Sequence, residues 1–251
     1  MALQQSNHWF ALIIGNSRQH WALFSGEHLS QTWHLTPGEF AHNPAQDYPN
    51  LPCWGASVGS LPLHQVYPTA IALTLKDIPI PRMYPTLGID RALALWGALQ
   101  VYGAPVCVVD AGTALTLTLA NARGEFAGGV ILPGLGLMAR ALAEYTAALP
   151  CVAFPTEAPP RWGTTTNTAI ESGLYYGTAA ILHAYLGAFF EEYAQGTLVV
   201  TGGDRSLISQ LLKTFLDPHR WCEDDHLAFW GIRALRNSTA KIEMQPMERI
   251  D

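Results

Sequence analysis

The sequence predicts an α/β protein made of two related lobes, and three observations lead to that prediction. The first is a strand, a tight turn and a second strand between Phe10 and Phe24, with the turn at Gly15-Asn16-Ser17. The second is the return of this pattern around Gly112, about one hundred residues later. The third is size, since 251 residues that are 49% hydrophobic can form two cores. One hairpin alone would favour a single continuous sheet, whereas two at this spacing favour two lobes.

The composition argues against several classes of protein. The net charge is −6, and among the 14 basic residues only Lys76, Lys213 and Lys241 are lysines, so a nucleic-acid partner is not expected. The four cysteines contain no C-x-x-C pair, which indicates reduced thiols and a cytoplasmic location. The most apolar stretch, residues 177–190, is too short to span a bilayer and contains His183, so no membrane association is expected.

The next predicted element after the first hairpin is a helix. The segment Tyr84 to Arg91 leads into it, and it stops at Gly103. A boundary between lobes is predicted just before the second hairpin. This gives lobes of residues 1–104 and 105–236, followed by a polar, poorly ordered tail of residues 237–251.

The second hairpin and a later loop carry the other small turns. An apolar strand leads into Asp110, whose charge needs either a cation or several hydrogen-bond donors in an ordered turn. Helices are predicted after Gly134 and after the threonine-rich residues 163–168. Further on, Thr201-Gly202-Gly203-Asp204 lies between a strand and a helix. Such a loop lets backbone approach a phosphorylated or planar ligand closely, although glycine there can also serve turn geometry alone.

These turns are compatible with phosphoryl transfer from ATP. That chemistry needs amides and a metal ion around the phosphate oxygens, and a carboxylate that takes the proton of the attacking hydroxyl. A P-loop enzyme is excluded because the sequence has no G-x-x-x-x-G-K-[ST]. Asp90 is the candidate base, beside Gly88 and Arg91 at a helix start. The alternative is an acid that merely stabilises the amino terminus of that helix.

Two other patterns suggest different chemistry. Gly55-Ala56-Ser57-Val58-Gly59 matches the nucleophile elbow of serine hydrolases, but Pro52 and Pro62 do not suit the strand and helix that an elbow requires. The acidic cluster Glu223 to His226 could bind a metal, although adjacent acids in a loop are more often solvated.

Taken in order, the motifs resemble those of type III pantothenate kinases, a branch of the acetate kinase, sugar kinase and actin superfamily. The segments that carry the resemblance span nearly the whole chain and are residues 13–17, 87–91, 110–114, 128–129, 133–134, 167–168, 172–173 and 201–204. The resemblance implies two actin-like (ribonuclease H-like) domains with mixed sheets flanked by helices and an active site in the interdomain cleft. It implies that pantothenate is phosphorylated by ATP to 4'-phosphopantothenate, the first step of coenzyme A biosynthesis. It also implies Mg²⁺, a monovalent cation (K⁺ or NH4⁺) and a homodimer.

The resemblance also assigns roles by position. Asp90 matches the proton acceptor and Asp110 the ligand of the monovalent cation. The positions that match pantothenate contacts are Tyr84, Gly88, Ile89, Asp90, Arg91 and Thr168. We expect ATP to be held at its phosphates by Gly15, Asn16, Ser17, Gly112 and Thr113, and near its adenosine by Gly202 and Gly203.

The first turn departs from the family pattern D-x-G-N-T. Ile13 stands where the family has aspartate, and Ser17 where it has threonine. Serine keeps the hydroxyl, but isoleucine cannot bind Mg²⁺ or its water shell. A working kinase remains the favoured interpretation. The alternatives are a catalytically weakened regulatory or accessory protein of the same fold, and a kinase for another small hydroxyl compound.

Overall fold

The computed structural model of the chain describes residues 7–36, 39–40, 43–59 and 61–243. These residues form two compact units. Unit 1 runs to Val101 and resumes at Leu227, and unit 2 comprises Tyr102 to His226.

Unit 1 is built on a mixed sheet. Its strands within the described residues are β1 (His8–Ile14), β2 (Gln19–Ser25), β3 (His28–Leu35), β4 (Cys53–Ser57) and β5 (Ile71–Ala72). The order is β3-β2-β1-β4-β5, in which β1 pairs antiparallel with β2 and parallel with β4. Every residue of β1 after His8 is buried, which explains its continuous apolar run. On one face, Phe10, Leu12 and Trp21 belong to a shared apolar cluster.

Three α-helices in the described part of the chain accompany this sheet: α1 (Leu63–Val66), α2 (Ile89–Tyr102) and α6 (Leu227–Glu243). Helices α2 and α6 approach each other at backbone distance through two glycines. A β-carbon on Gly97 would lie 1.8 Å from the Leu227 carbonyl oxygen, and one on Gly231 would lie 2.2 Å from that of Leu93. The two helices therefore pack as closely as they do only because both positions lack a side chain.

Unit 2 repeats the strand arrangement of unit 1. Its strands within the described residues are β6 (Val106–Ala111), β7 (Ala114–Ala120), β8 (Phe126–Pro133), β9 (Thr197–Thr201) and β10 (Trp221–Glu223), in the order β10-β9-β6-β7-β8. Strand β6 has β7 as its antiparallel partner and β9 as its parallel partner, just as β1 has β2 and β4. The predicted internal repeat is therefore present in the topology.

The α-helices of unit 2 within the described residues are α3 (Leu135–Glu144), α4 (Thr166–Glu192) and α5 (Arg205–Leu212). One face of the sheet forms a core with α4 and α5, in which Val109 packs with Leu182, Leu186 and Ile208. The predicted α/β class with two mixed sheets flanked by helices is confirmed. No helix among the described residues combines the length and the apolarity needed to cross a bilayer.

The observed division differs from the predicted lobes of residues 1–104 and 105–236. The first unit ends at Val101, and the chain returns to it at Leu227. The reason is the packing of α6 against the sheet of unit 1, where the rings of Trp230 and Phe24 meet edge to face at 6.1 Å.

The predicted tail of residues 237–251 needs a correction in its first part. Residues 237–243 continue α6. The hydroxyls of Ser238 and Thr239 donate to the carbonyls of Ala234 and Leu235, four residues earlier, so these polar side chains are accommodated in a helix. Residues 244–251 lie outside the described residues.

Candidate active site

The first predicted glycine turn joins β1 to β2. The Gly15 N–H donates to the Arg18 carbonyl over 2.9 Å, while Asn16 and Ser17 are exposed. Gly59 lies beside the turn, since a β-carbon there would be 3.5 Å from both the Asn16 Oδ1 and the Gly15 carbonyl oxygen. The turn is therefore a compact, surface-facing loop with little bulk around its backbone.

Ile13 is part of the sheet rather than of this turn. Its side chain is 7% exposed, and its cross-strand neighbours are His20 on β2 and Ala56 on β4. The residue therefore extends the buried apolar strand by one position. It offers no oxygen ligand to a metal ion at the place where the family pattern has a carboxylate.

The pattern that matched a nucleophile elbow has a structural role instead. Ser57 ends strand β4, and its hydroxyl donates to the Leu61 carbonyl over 2.6 Å. Gly55 is required because a β-carbon would lie 2.2 Å from the Leu12 carbonyl oxygen. A strand does precede the serine, contrary to expectation, but the four-residue helix α1 begins only at Leu63, so the strand–turn–helix of an elbow is missing.

The start of α2 and the residues just before it bring four predicted site residues together. Asp90 Oδ1 accepts the Arg91 N–H over 2.8 Å, and a β-carbon on Gly88 would lie 2.6 Å from that same oxygen. Arg91 is 7% exposed, and its Nη1 donates to the Tyr84 hydroxyl over 3.3 Å. The carboxylate is thus held in one orientation over a residue without a side chain. Ile89 opens the helix and is partly buried.

In unit 2, the second turn and the third glycine loop form one assembly. A β-carbon on Gly202 would lie 2.4 Å from the Ala111 carbonyl oxygen and 2.6 Å from Asp110 Oδ1. The Asp204 N–H donates to that same Ala111 carbonyl over 2.9 Å. Asp110 therefore lies at the meeting point of the two loops, next to Gly112.

The start of α3 completes this assembly, and the sequence analysis did not count it among the site residues. The Gly134 N–H donates to the Thr113 carbonyl over 3.0 Å, and a β-carbon there would lie 2.2 Å from the Gly112 carbonyl oxygen. Gly134 is the N-cap of α3 and provides no side-chain hydrogen bond, so the helix end is uncapped by side chains. Amides at such a helix end favour anions. In the sequence, the Pro133-Gly134 pair before a helical pattern is the feature that could have identified this helix start as part of the site.

Arg205 is a second residue that the sequence analysis missed. Its Nη1 donates to the Gly202 carbonyl over 3.3 Å, while its Nη2 lies 2.9 Å from Asp225 and its Nε 3.6 Å from Glu223. The acidic cluster is thus tied to the third glycine loop by an arginine. Glu223 and Asp225 are therefore paired with a cationic side chain, which explains these acids without a metal.

Thr168 lies in the first turn of α4. Its side chain and that of Thr165 form a capping box, with the two hydroxyl oxygens 2.9 Å apart. This placement explains the threonine by local structure. Its contact with a substrate stays a prediction, as do the contacts of the glycine turns with ATP.

The residues in unit 2 fit a nucleotide accompanied by a cation. Mg²⁺ is usually bound through one or two carboxylates together with the phosphates of the nucleotide. Asp110 offers a carboxylate to a cation, and the exposed Thr113 and Gly203 belong to the two loops that meet beside it. In unit 1, Ile13 does not fit this role.

Comparison with known proteins gives the family. The family model for type III pantothenate kinase matches residues 62–187. A type III pantothenate kinase of Thermosynechococcus vestitus (strain NIES-2133 / IAM M-273 / BP-1) is 80% identical, over 100% of this chain and 99% of the relative. One of Synechococcus sp. (strain JA-3-3Ab) is 43% identical, over 92% of this chain and 93% of the relative.

Solved structures with low sequence identity share the fold. A Baf family protein from Campylobacter jejuni has a TM-score of 0.65 at 22% identity, covering 92% of this chain and 99% of the other. The activator of 2-hydroxyisocaproyl-CoA dehydratase from Clostridium difficile, solved with ADPNP, has a TM-score of 0.56 at 10% identity, covering 96% and 100%. The resemblance inferred from the motifs is thereby confirmed: this chain belongs to the type III pantothenate kinase family.

Proposed function

We propose that this chain transfers the γ-phosphoryl group of ATP to the primary hydroxyl of pantothenate, giving 4'-phosphopantothenate and ADP in coenzyme A biosynthesis. Family membership supplies the substrate class. The observation in this chain that carries the proposal is Asp90, whose carboxylate is fixed at the start of α2 beside Gly88 and the buried Arg91.

Asp90 acts as the general base. Its carboxylate accepts the proton of the pantothenate hydroxyl as that oxygen attacks the γ-phosphorus and the bond to the β,γ-bridging oxygen breaks. Arg91 and Tyr84, joined by a hydrogen bond of 3.3 Å, give the neighbouring surface a fixed cation and a hydroxyl. These groups suit a small ligand that carries a carboxylate and hydroxyls, as pantothenate does.

Unit 2 contributes the phosphate-binding part of the proposal. The phosphates of ATP bind at the backbone of Gly112 and Thr113 and at the start of α3, which has no side-chain cap. The adenosine binds at Gly202 and Gly203. Asp110 holds the monovalent cation, K⁺ or NH4⁺. When bound with ATP, Mg²⁺ would offset the charge on the phosphoryl oxygens.

The working form that we propose is a cytoplasmic homodimer. All four cysteines are free, as in a reducing compartment. Helix α4 supports a dimer interface, because Gly173 and Gly177 have open space where a β-carbon would be and Tyr185 is 47% exposed. Sedimentation of Gly177→Arg against wild type tests this, since a bulky charge there should produce monomers.

The experiment for the reaction is ADP release with pantothenate, with and without K⁺. Asp90→Asn should lower turnover about 10²–10⁴-fold and leave ATP affinity nearly unchanged, the usual effect of removing a general base. Asp47→Asn is the control, because Asp47 is an exposed acid of the same unit. Wild-type turnover in Asp90→Asn would remove that residue from the mechanism.

The buried Ile13 favours a second candidate, an accessory protein of the same fold. A wild-type protein that binds ATP but releases no pantothenate-dependent ADP would support it. If ADP is released only with a different hydroxyl compound from a substrate panel, the protein is a kinase of another specificity.

A further inference from the structure

Two histidines lie side by side at the end of the unit 1 sheet. His20 on β2 and His34 on β3 are direct cross-strand partners, and their Nδ1 atoms are 2.7 Å apart. The rings meet at an interplanar angle of 64° with centroids 4.9 Å apart. At this separation one Nδ1 carries a proton and donates it to the lone pair of the other, so the two nitrogens share one proton between them.

A metal ion can take the place of that shared proton. If the donor ring moves its proton from Nδ1 to Nε2, both rings remain neutral and both Nδ1 atoms become ligands.

The distance between the nitrogens can be compared with the geometries in which two imidazoles chelate a metal ion. Imidazole nitrogens bind first-row metals at about 2.0–2.1 Å, so two of them at a right angle are about 2.9 Å apart and two at a tetrahedral angle about 3.3 Å. The observed 2.7 Å is nearer to the right-angled arrangement. That geometry is typical of Cu²⁺ and Ni²⁺ in tetragonal sites, whereas Zn²⁺ prefers a tetrahedron.

Two exposed charges of opposite sign, Arg18 and Glu39, lie near the pair. Arg18 raises the positive potential at His20, and Glu39 acts in turn on Arg18. The Glu39 carboxylate is held by the N–H and the hydroxyl of Thr36 at 2.8 and 2.7 Å. This carboxylate offsets part of the repulsion that Arg18 would exert on an incoming cation.

We propose that His20 and His34 form a two-histidine site for a divalent transition metal, Cu²⁺ or Ni²⁺, with water completing the coordination. The site adjoins the first glycine turn, because His20 is the cross-strand partner of Ile13. It does not depend on the kinase reaction, so the inference stands apart from the proposed function.

The test uses the full chain without an affinity tag, titrated with Cu²⁺ and followed by electron paramagnetic resonance. We expect one ion per chain with hyperfine splitting from two nitrogens. His34→Gln should lose the second nitrogen and weaken binding tenfold or more. His28→Gln should behave as wild type, because His28 is an exposed histidine of the same strand that pairs with Ser25.

A second metal and a second variant make the result decisive. Ni²⁺ binding, measured by calorimetry, should rank the three proteins in the same order and be at least as tight as Zn²⁺ binding. His34→Asn retains a side chain that can hydrogen-bond to His20. It replaces the glutamine variant in the experiment if that variant folds poorly. Two-nitrogen splitting in the His34 variants, or no stoichiometric binding to wild type, would overturn the proposal.

Discussion

Gly202 lies directly against Asp110, at a distance that leaves no room for a side chain. A β-carbon on Gly202 would be 2.6 Å from Asp110 Oδ1, and the residue has a φ of +93°, which L side chains rarely adopt. The third glycine loop and the second turn can therefore pack this closely only because residue 202 has no side chain. The position of Asp110 depends on a residue more than ninety positions away along the chain.

Replacement of Gly202 by alanine should damage this arrangement. We expect the free energy of unfolding to fall by about 1–3 kcal/mol, because the new methyl group both clashes and strains the backbone. The KM for ATP should rise roughly tenfold, about 1.4 kcal/mol of binding free energy. Urea unfolding and steady-state kinetics measure the two effects. Gly203→Ala is the matched control for the unfolding measurement, since nothing lies within 4 Å of its β-carbon position.

The crossing of α2 and α6 should be equally intolerant of a methyl group. In Gly97→Ala the new carbon would meet the Leu227 carbonyl at 1.8 Å, so the helices must separate. We expect a loss of about 2–4 kcal/mol in the free energy of unfolding, as for an overpacked core. Val101→Ala, at a 44% exposed position of the same helix, should change it by less than about 0.5 kcal/mol. Equal stability of the two variants would contradict the close crossing.

Stability should decrease on acidification because of His20. Burial lowers the pKa of His20 from 6.5 to about 4 in the folded protein, so between these values the unfolded chain binds a proton that the folded chain does not. Acid therefore favours unfolding, by an amount on the order of 1–2 kcal/mol between about pH 7.5 and about pH 4.5. The measurement compares the pH dependence of urea unfolding in wild type and His20→Gln. Identical slopes in the two proteins would exclude His20 as the cause.

The cysteines should differ sharply in reactivity. Burial raises the pKa of Cys53 to about 12, raises that of Cys107 as well, and leaves their side chains 1% and 0% exposed. Cys151 is exposed. A thiol reagent should label Cys151 first and reach Cys53 and Cys107 only on unfolding. Replacing Cys151 by serine should remove the fastest phase; a fast phase that survives in this variant would show that another thiol is accessible.

The sequence was sufficient for features that depend on local chemistry. The tight turns at Gly15, Gly112 and Gly202 could be predicted because a strand end followed by small residues usually forms a turn. The clustering of Asp90 with Gly88 and Arg91 followed from their spacing at a helix start. These relationships involve near neighbours along the chain, where pattern and propensity are informative.

Relationships between distant segments were not accessible in this way. The composition of residues 237–243 suggested a solvated tail, whereas Ser238 and Thr239 bond back to their own helix. The need for glycine at position 97 depends on the backbone at Leu227, and the role of Arg205 depends on Asp225 across a separate loop. No periodicity in the sequence encodes such contacts, because they arise only after the elements pack.

The return of α6 to unit 1 has a consequence for biosynthesis. Unit 2 is an uninterrupted stretch from Tyr102 to His226, so all of its residues are synthesised before the last helix of unit 1 is translated. Domains generally fold as units during translation. The unit whose synthesis begins second is therefore the first that can be completed, and the nascent β1–β5 sheet must wait for Leu227–Glu243 before one of its faces is covered.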